Sequence, residues 1–553
     1  MTHNHRSCFT PILPLTHFSL VNPVNRQTIK RSILQAIAGI ALVLLNSCTS
    51  PKDTQPDNTL IGNTMEQYRL RFHFTPQKMW MNDPNGMVYY DGEYHLFYQH
   101  FPDSAVWGPM HWGHAVSEDL IHWKHLPIAL YPDSLGYIFS GSAVVDRQNT
   151  AGFKTGAHDP LVAIYTYHQA EKEKAGHIDF QTQGIAYSND RGRTWSKYDN
   201  NPVLPNPGVR DFRDPKVFWH EESKKWVMVL AVQDRIHLYG SPDLKKWDYL
   251  SEFGQHEGSH GGVWECPDLF PLKVEDTDTE KWVLLLSINP GAPNGGSGTQ
   301  YFIGTFDGQK FISEGAAGTT SWVDYGRDNY AGVTFANIPQ QDGRRIFMGW
   351  MSNWDYAQVV PTPNWRSAMT LPRVLTLKNV LGETRLLSYP VEETKKLRME
   401  TIMLSPGNEA LFHSAHQPDG PHHALEGTLT LSLTNTADQG FSILFSNTQG
   451  ETYAFGYDPM GQSFYSDRSQ AGQVDFSEKF AGHKTLAPFN LTGRSQLQLH
   501  FYLDVASIEI FIEGGELTLT EIFFPNGGFD KIDIRGNATL LAGQVYPLKS
   551  IWP

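Results

Sequence analysis

Asp83-Pro84, Asp214-Pro215 and Glu265-Cys266-Pro267 share one feature: a carboxylate standing directly, or one residue, ahead of a proline. Proline holds the residue before it in an extended conformation, so each acidic side chain is delivered from a defined backbone. Taken singly, Asp before Pro is common turn chemistry, and Asn82-Asp83-Pro84-Asn85-Gly86 is dense in turn formers. As a set the three allow more. Crowded carboxylates raise one another's affinity for protons, so one can rest protonated while another stays ionised. That division of roles serves acid-assisted displacement at carbon. Three carboxylates could also bind calcium, but none of these lies in an Asp-rich loop of the calcium kind. Either use requires residues as far apart as 83 and 265 to meet.

A repeated unit supplies the route. Five times an apolar strand, a turn and a second apolar strand recur, beginning at Met87, Ser142, Lys216, Asp268 and Val333. A second signature runs in step: Ser117-Glu118-Asp119-Leu120-Ile121-His122-Trp123 returns as Ser241-Pro242-Asp243-Leu244-Lys245-Lys246-Trp247, and Ser188 to Trp195 is a variant one residue longer. Strand periodicity, many Gly and Pro, and almost no helix-period stretch predict an all-β chain. Five units of this size fit a five-bladed β-propeller over residues 67–390. A row of independent sandwiches is the rival, disfavoured because no Pro- or Gly-rich linker separates the units. In a propeller the first strand of each blade lines the axis, so the residues leading into the five hairpins converge on one funnel. Ser140 and Asp328 hold similar leading positions in the second and fifth units.

From residue 391 to 553 the pattern changes to period-two strands. Leu429, Leu431 and Leu433, then Leu497, Leu499, Phe501 and Leu503, then Ile508, Ile510 and Ile512 alternate with polar residues. An antiparallel β-sandwich is expected there, as a packing partner for the propeller or a further carbohydrate contact. The amino-terminal end reads differently. Lys30 and Arg31 precede an apolar run, Ile33 to Leu45, too short to cross a bilayer comfortably and typical of an export signal. Leu45-Asn46-Ser47-Cys48 resembles a lipobox, which implies a lipoprotein signal over 1–47 and lipid on Cys48. Residues 48–66 read as a polar tether. The only other cysteines are Cys8, in the signal, and Cys266, so the mature chain offers no disulfide and no cysteine metal site. A net charge of −14 without a basic run argues against nucleic-acid binding. Fifteen Trp and 23 Tyr suit sugar faces, although β-rich folds are aromatic-rich in any case.

Trp80-Met81-Asn82-Asp83-Pro84-Asn85-Gly86, Arg213-Asp214-Pro215 and Glu265-Cys266-Pro267 resemble, in order, the three signature motifs of glycoside hydrolase family 32. Its members include invertases, levanases, inulinases and fructan β-fructosidases. Gln99-His100-Phe101-Pro102, Trp107-Gly108, His111-Trp112-Gly113-His114, Phe139-Ser140-Gly141-Ser142 and Tyr330-Ala331-Gly332 match as well, and the likeness runs from about His73 to Pro390. The resemblance implies a retaining hydrolase that releases fructose from β-fructofuranosides: levan, inulin, fructo-oligosaccharides or sucrose. By it Asp83 is the nucleophile, Glu265 the general acid/base and Asp214 the transition-state stabiliser. Trp80, Asn82, Gln99, Trp107, Phe139, Ser140, Arg213 and Trp350 are the implied substrate contacts, with Trp107 and Trp350 walling the first sugar subsite. No cofactor and no metal are implied. The overall likeness leans towards exo action. Fructosyl transfer, endo attack and a non-catalytic glycan-binding lipoprotein are the alternatives. The expected setting is the bacterial envelope, periplasm or cell surface, with membrane contact through the lipid alone.

Overall fold

The computed structural model describes residues 66–552 except 317, 405–408, 412–423 and 434–438. The expected signal, the tether as far as residue 65, and Cys48 lie outside the described residues. Five antiparallel sheets follow one another along the chain from residue 79 to residue 390. Their first strands are Met79–Tyr90, Tyr137–Val145, Phe212–His220, Val263–Lys273 and Tyr330–Thr334. These are the five blades of a β-propeller. The ring is closed by chain that comes after the fifth inner strand: Trp365–Arg366 pairs in parallel with Met79–Trp80. Val88 also bridges Ala336.

Aliphatic and aromatic side chains fill the spaces between blades. Val217, Met228 and Leu230 of blade three pack with Val162 and Ile164 of blade two. The repeated turns form as their spacing predicts. The carboxylates of Asp119 and Asp243 each accept two backbone N–H bonds within the turn, and that of Asp190 accepts the backbone N–H and the hydroxyl of Thr194. The trailing tryptophans, Trp195 and Trp247, donate to Gly192 and Leu244.

After a short 3-10 helix, Glu392–Leu397, the chain builds two six-stranded antiparallel sheets. The alternating leucines, isoleucines and phenylalanines predicted to face inward form one buried core. Residues 67–78, which lead into the propeller, lie against both domains: Phe72 and Phe74 pack with Trp80, Tyr98 and Met369 of the propeller. Tyr68 and Leu70 pack with Phe480, Ile522 and Phe524, and the backbone N–H groups of Arg71 and Phe72 donate to Asp504.

Buried charge joins the two domains. Arg373, at the start of a blade-five strand, donates to Glu509 of the sandwich at 2.5 and 3.0 Å and to Asp324 at 2.9 Å. Arg468 of the sandwich donates to Asp328 at 2.6 Å, and Tyr356 donates to the other oxygen of Asp328 at 2.7 Å. Removing one partner of such a pair strands a buried charge, at a cost of about 3–5 kcal/mol.

His73 is part of the same seam. Its Nδ1 lies 2.8 Å from Asp504 and its Nε2 3.0 Å from Glu509. Two carboxylate acceptors require both ring nitrogens to carry protons. Burial alone would lower its pKa, but the two hydrogen bonds and charges outweigh it and hold the group up to about 9. An imidazolium with a raised pKa contributes stability that is full below about 6.5 and is lost as pH rises through about 9, amounting to roughly 3 kcal/mol. Thermal unfolding of the wild type is therefore expected to fall between those pH values. The fall should be shallower in His73→Gln. Parallel curves for the two proteins would refute this role for His73.

Candidate active site

Every inner strand carries an irregularity at the same height, where two of its residues oppose one residue of the neighbouring strand. The pairs are Asn82-Asp83, Phe139-Ser140, Asp214-Pro215, Cys266-Pro267 and Ala331-Gly332. Such bulges bend the strand and re-aim its side chains. Proline fits here because a bulge leaves a residue without a ladder partner, so the missing N–H costs nothing. In three blades the first bulge residue is held at positive φ: Asp214 at 65°, Cys266 at 47° and Ala331 at 53°. This region costs an L-residue about 1–2 kcal/mol, a strain that the surrounding sheet sustains. Gly141, just after the second bulge, lacks a side chain for a steric reason: a Cβ there would lie 2.0 Å from the Ile164 carbonyl oxygen.

The carboxylates therefore sit within the inner strands, not ahead of them as the hairpin spacing suggested. Nor do they hold one repeated position. Asp83 is the second bulge residue, Asp214 the first, and Glu265 the residue just before its bulge. The fifth-blade counterpart of Glu265 is Tyr330, not Asp328. Asp328 is committed to Arg468 and Tyr356 at the domain seam.

The bulges bring the side chains together. Asn82 Nδ2 donates to Asp83 Oδ1 at 2.9 Å, and Ser140 Oγ donates to Asp83 Oδ2 at 2.8 Å. Arg213 donates to Glu265 Oε1 through Nη2 at 2.8 Å and Nε at 3.2 Å. Its third arm is held by Asp211 at 2.7 Å. The Tyr330 hydroxyl donates to Glu265 Oε2. The Cys266 backbone N–H donates to Asp214 Oδ2 at 3.1 Å. The Cys266 thiol lies between two of the acids, 3.5 Å from Asp83 Oδ2 and 3.7 Å from Asp214 Oδ2. Residues 83, 214 and 265 thus share one cluster, joined through Cys266, Arg213 and Tyr330.

The electrostatics follow from burial and crowding. Burial raises the proton affinity of Asp83 and the charge of Glu265 adds to it, against the Asn82 and Ser140 hydrogen bonds. Burial pushes Asp214 up to about 7; Arg213 opposes this, while Glu265 and Asp83 reinforce it. Burial also keeps the Cys266 thiol and the Tyr330 phenol protonated, with the neighbouring carboxylates acting in the same direction. Both groups are therefore donors to the acids. Burial and mutual repulsion thus raise the proton affinity of Asp83 and Asp214 together.

The aromatic residues differ in exposure. Trp80 and Trp350 are fully buried, with Trp80 stacked on Trp354 at 5.8 Å and donating to Asn82 Oδ1 at 2.7 Å. Trp80 therefore orients the amide that in turn orients Asp83. Trp350, expected to wall the first subsite, is buried, and its indole N–H has no protein partner. Gln99, opposite the first bulge, likewise keeps its buried Nε2 without a partner. Trp107 alone of the predicted tryptophans reaches solvent, at 37% exposure, edge-on to Phe139. Phe139 stacks on His168 at 4.2 Å. The residues in contact with the cluster that the sequence did not single out are Tyr330, Cys266, Asp211, His168 and Trp354. Only Tyr330 and Cys266 carried a signal, as members of quoted motifs.

Among the described residues, no group of three His, Cys, Asp or Glu side chains is disposed to hold a metal ion. Residues 73–390 match the N-terminal domain of glycosyl hydrolases family 32, and residues 393–547 match that family's C-terminal domain. The chain is 47% identical over 496 residues to a levanase of Bacillus subtilis, covering 88% of this chain and 71% of the relative. It is 40% identical over 526 residues to an extracellular exo-inulinase of Aspergillus niger, covering 89% and 96%. Its fold is similar to that of the exo-inulinase from Aspergillus awamori, with TM-score 0.78 and 35% identity over 88% of this chain and 99% of that one. A β-fructofuranosidase from Schwanniomyces occidentalis, complexed with fructosyl-erythritol, gives TM-score 0.77 and 34% identity over 87% and 98%.

Proposed function

The chain belongs to glycosyl hydrolases family 32, and from that premise we propose that it removes terminal fructose from β-fructofuranosides by double displacement with retention. The observation that carries the mechanism is the clustering of Asp83, Asp214 and Glu265 at the bulges, each with its own donors. Glu265 gives its proton to the glycosidic oxygen as the bond to the anomeric carbon breaks and the electron pair leaves with that oxygen. Asp83 attacks the same carbon and forms a fructosyl ester. Glu265 then takes a proton from water, which displaces the ester and returns Asp83 to its ionised state. Asp214 accepts hydrogen bonds from fructose hydroxyls, an arrangement that strengthens as positive charge grows on the ring. The unpartnered buried donors of Gln99 and Trp350 suit hydroxyl oxygens.

The exo-inulinase relatives support an exo reading. Digestion of levan and inulin with time-resolved chromatography tests it. Free fructose is expected as the first product from both polymers, and early short oligomers would overturn exo action. We propose further that the protein is exported and held to a membrane by lipid on Cys48. The basic pair, the apolar run and the lipobox support this. Palmitate labelling should be present in the wild type and absent in Cys48→Ala; equal labelling of the two would refute it.

A further inference from the structure

Below the carboxylates, the same inner strands continue along the propeller axis to its other mouth. There they line a cavity of about 330 Å³, with Val144 and Val145 at the end of the second inner strand, Lys216 to Trp219 on the third, Asp268 on the fourth and Thr334 on the fifth. At about 3.3 Å per residue, Trp219 lies some 17 Å along its strand from Asp214. This cavity is separate from the site described above.

Its charge is unbalanced. Among the lining residues Arg147, Lys216 and Arg345 are cationic and Asp268 is the single carboxylate. Asp268 is engaged through one oxygen, Oδ2. It is 3.0 Å from Lys216 Nζ and accepts from the Thr334 backbone N–H at 2.7 Å and the Thr334 hydroxyl at 2.8 Å. Lys216 also donates to the Thr334 carbonyl at 2.6 Å. The Arg345 guanidinium stands over the Phe270 ring at 4.8 Å and, among the described residues, its side chain makes no hydrogen bond or ion pair. Burial lowers its pKa and the charge of Asp268 partly restores it. Arg147 donates only to Asn337 Oδ1, at 2.9 Å. The adjoining surface groove, which shares Arg147 and Asn337, contains Asp91 and Asp159. Those are engaged by Arg191 at 2.9 Å and Lys154 at 2.7 Å. Two guanidinium groups thus line a cavity whose single carboxylate is ion-paired with Lys216, in a chain whose net charge is −14.

The geometry points to a binding site for a small multivalent oxyanion at the distal mouth of the propeller, with Arg345 as its principal ligand and Arg147 as the outer one. A planar guanidinium with free N–H groups matches phosphate or carboxylate oxygens two at a time. The fixed Lys216–Asp268 pair supplies the polar floor.

The test is thermal unfolding at millimolar sodium phosphate and, separately, sodium citrate, against sodium chloride of matched ionic strength. Such oxyanions also stabilise proteins generally through exclusion from the surface, so the comparison is between wild type, Arg345→Gln and Arg147→Gln. A saturable gain with phosphate or citrate is expected in the wild type, with affinity at least about tenfold weaker in each variant. Undiminished levan hydrolysis is expected of both variants and reports that each is folded. Should Arg345→Gln fail to fold, the exposed Arg147→Gln carries the comparison. No gain beyond chloride in the wild type, or a gain that persists undiminished in the folded variants, overturns the site.

Discussion

Asp83→Asn is expected to lower fructose release by more than about 10⁴-fold, because in the proposed mechanism Asp83 supplies the atom that bonds to the anomeric carbon. The substitution is close to isosteric, so Asn82, Ser140 and Cys266 can remain around it. A carboxamide neither attacks carbon nor balances the charge that develops there. Changing the leaving group should not help, since the missing part is the nucleophile. Stability should move the other way. Burial and Glu265 raise the proton affinity of Asp83, and a carboxylate with a raised pKa contributes stability present at low pH and lost as pH rises through that pKa. Asparagine has no such loss. Asp83→Asn should therefore unfold at an equal or higher temperature than the wild type at pH 8, while almost inert. Activity within a hundredfold of wild type, in a preparation free of wild-type enzyme, would remove Asp83 from its role.

Glu265→Gln should cost about 10²–10⁴-fold on sucrose or levan, the range for loss of general acid/base assistance. Glutamine can still accept from Arg213 through one oxygen, but it cannot pass a proton to the departing sugar. The two variants are told apart by leaving group. With an aryl fructoside the departing oxygen needs little protonation, so the deficit of Glu265→Gln should shrink sharply, and hydrolysis of the fructosyl ester becomes the slow step. An anionic nucleophile such as azide needs no general base and should then accelerate turnover and trap a fructosyl azide. Asp83→Asn should respond to neither. An equal deficit on aryl and natural substrates would argue that Glu265 supports the site without transferring a proton.

Much of this could be read from the chain because a propeller is periodic. Strand, turn and strand recur with the same Asp-to-Trp turns, and each Asp-to-backbone cap that the pattern implies is present. Neighbours in sequence proved sound guides for Asn82, Ser140 and Arg213, whose side chains meet the carboxylates directly. What escaped was register. A bulge shifts a strand by one residue, and nothing in residue type marks whether Asp83, Asp214 or Glu265 stands before, within or after it. For the same reason Asp328 was placed at the funnel when Tyr330 is the residue that reaches Glu265. Tryptophan identity says little about exposure: Trp107 reaches solvent while Trp80 and Trp350 are buried. The strap at 67–78 was hidden because its partners, Asp504 and Glu509, lie more than four hundred residues away.

The parallel pairing of Met79–Trp80 with Trp365–Arg366 has a bearing on biosynthesis. Asp83 emerges early from the ribosome, but the seam beside it is made by a segment translated near the end of the ring. Export of an unfolded chain is compatible with that order, because no partial polypeptide can acquire a working pocket before the last blade arrives. Hydrolytic competence is then gained in a single late step. A chain truncated before residue 365 would carry Asp83, Asp214 and Glu265 and still be silent towards any sugar.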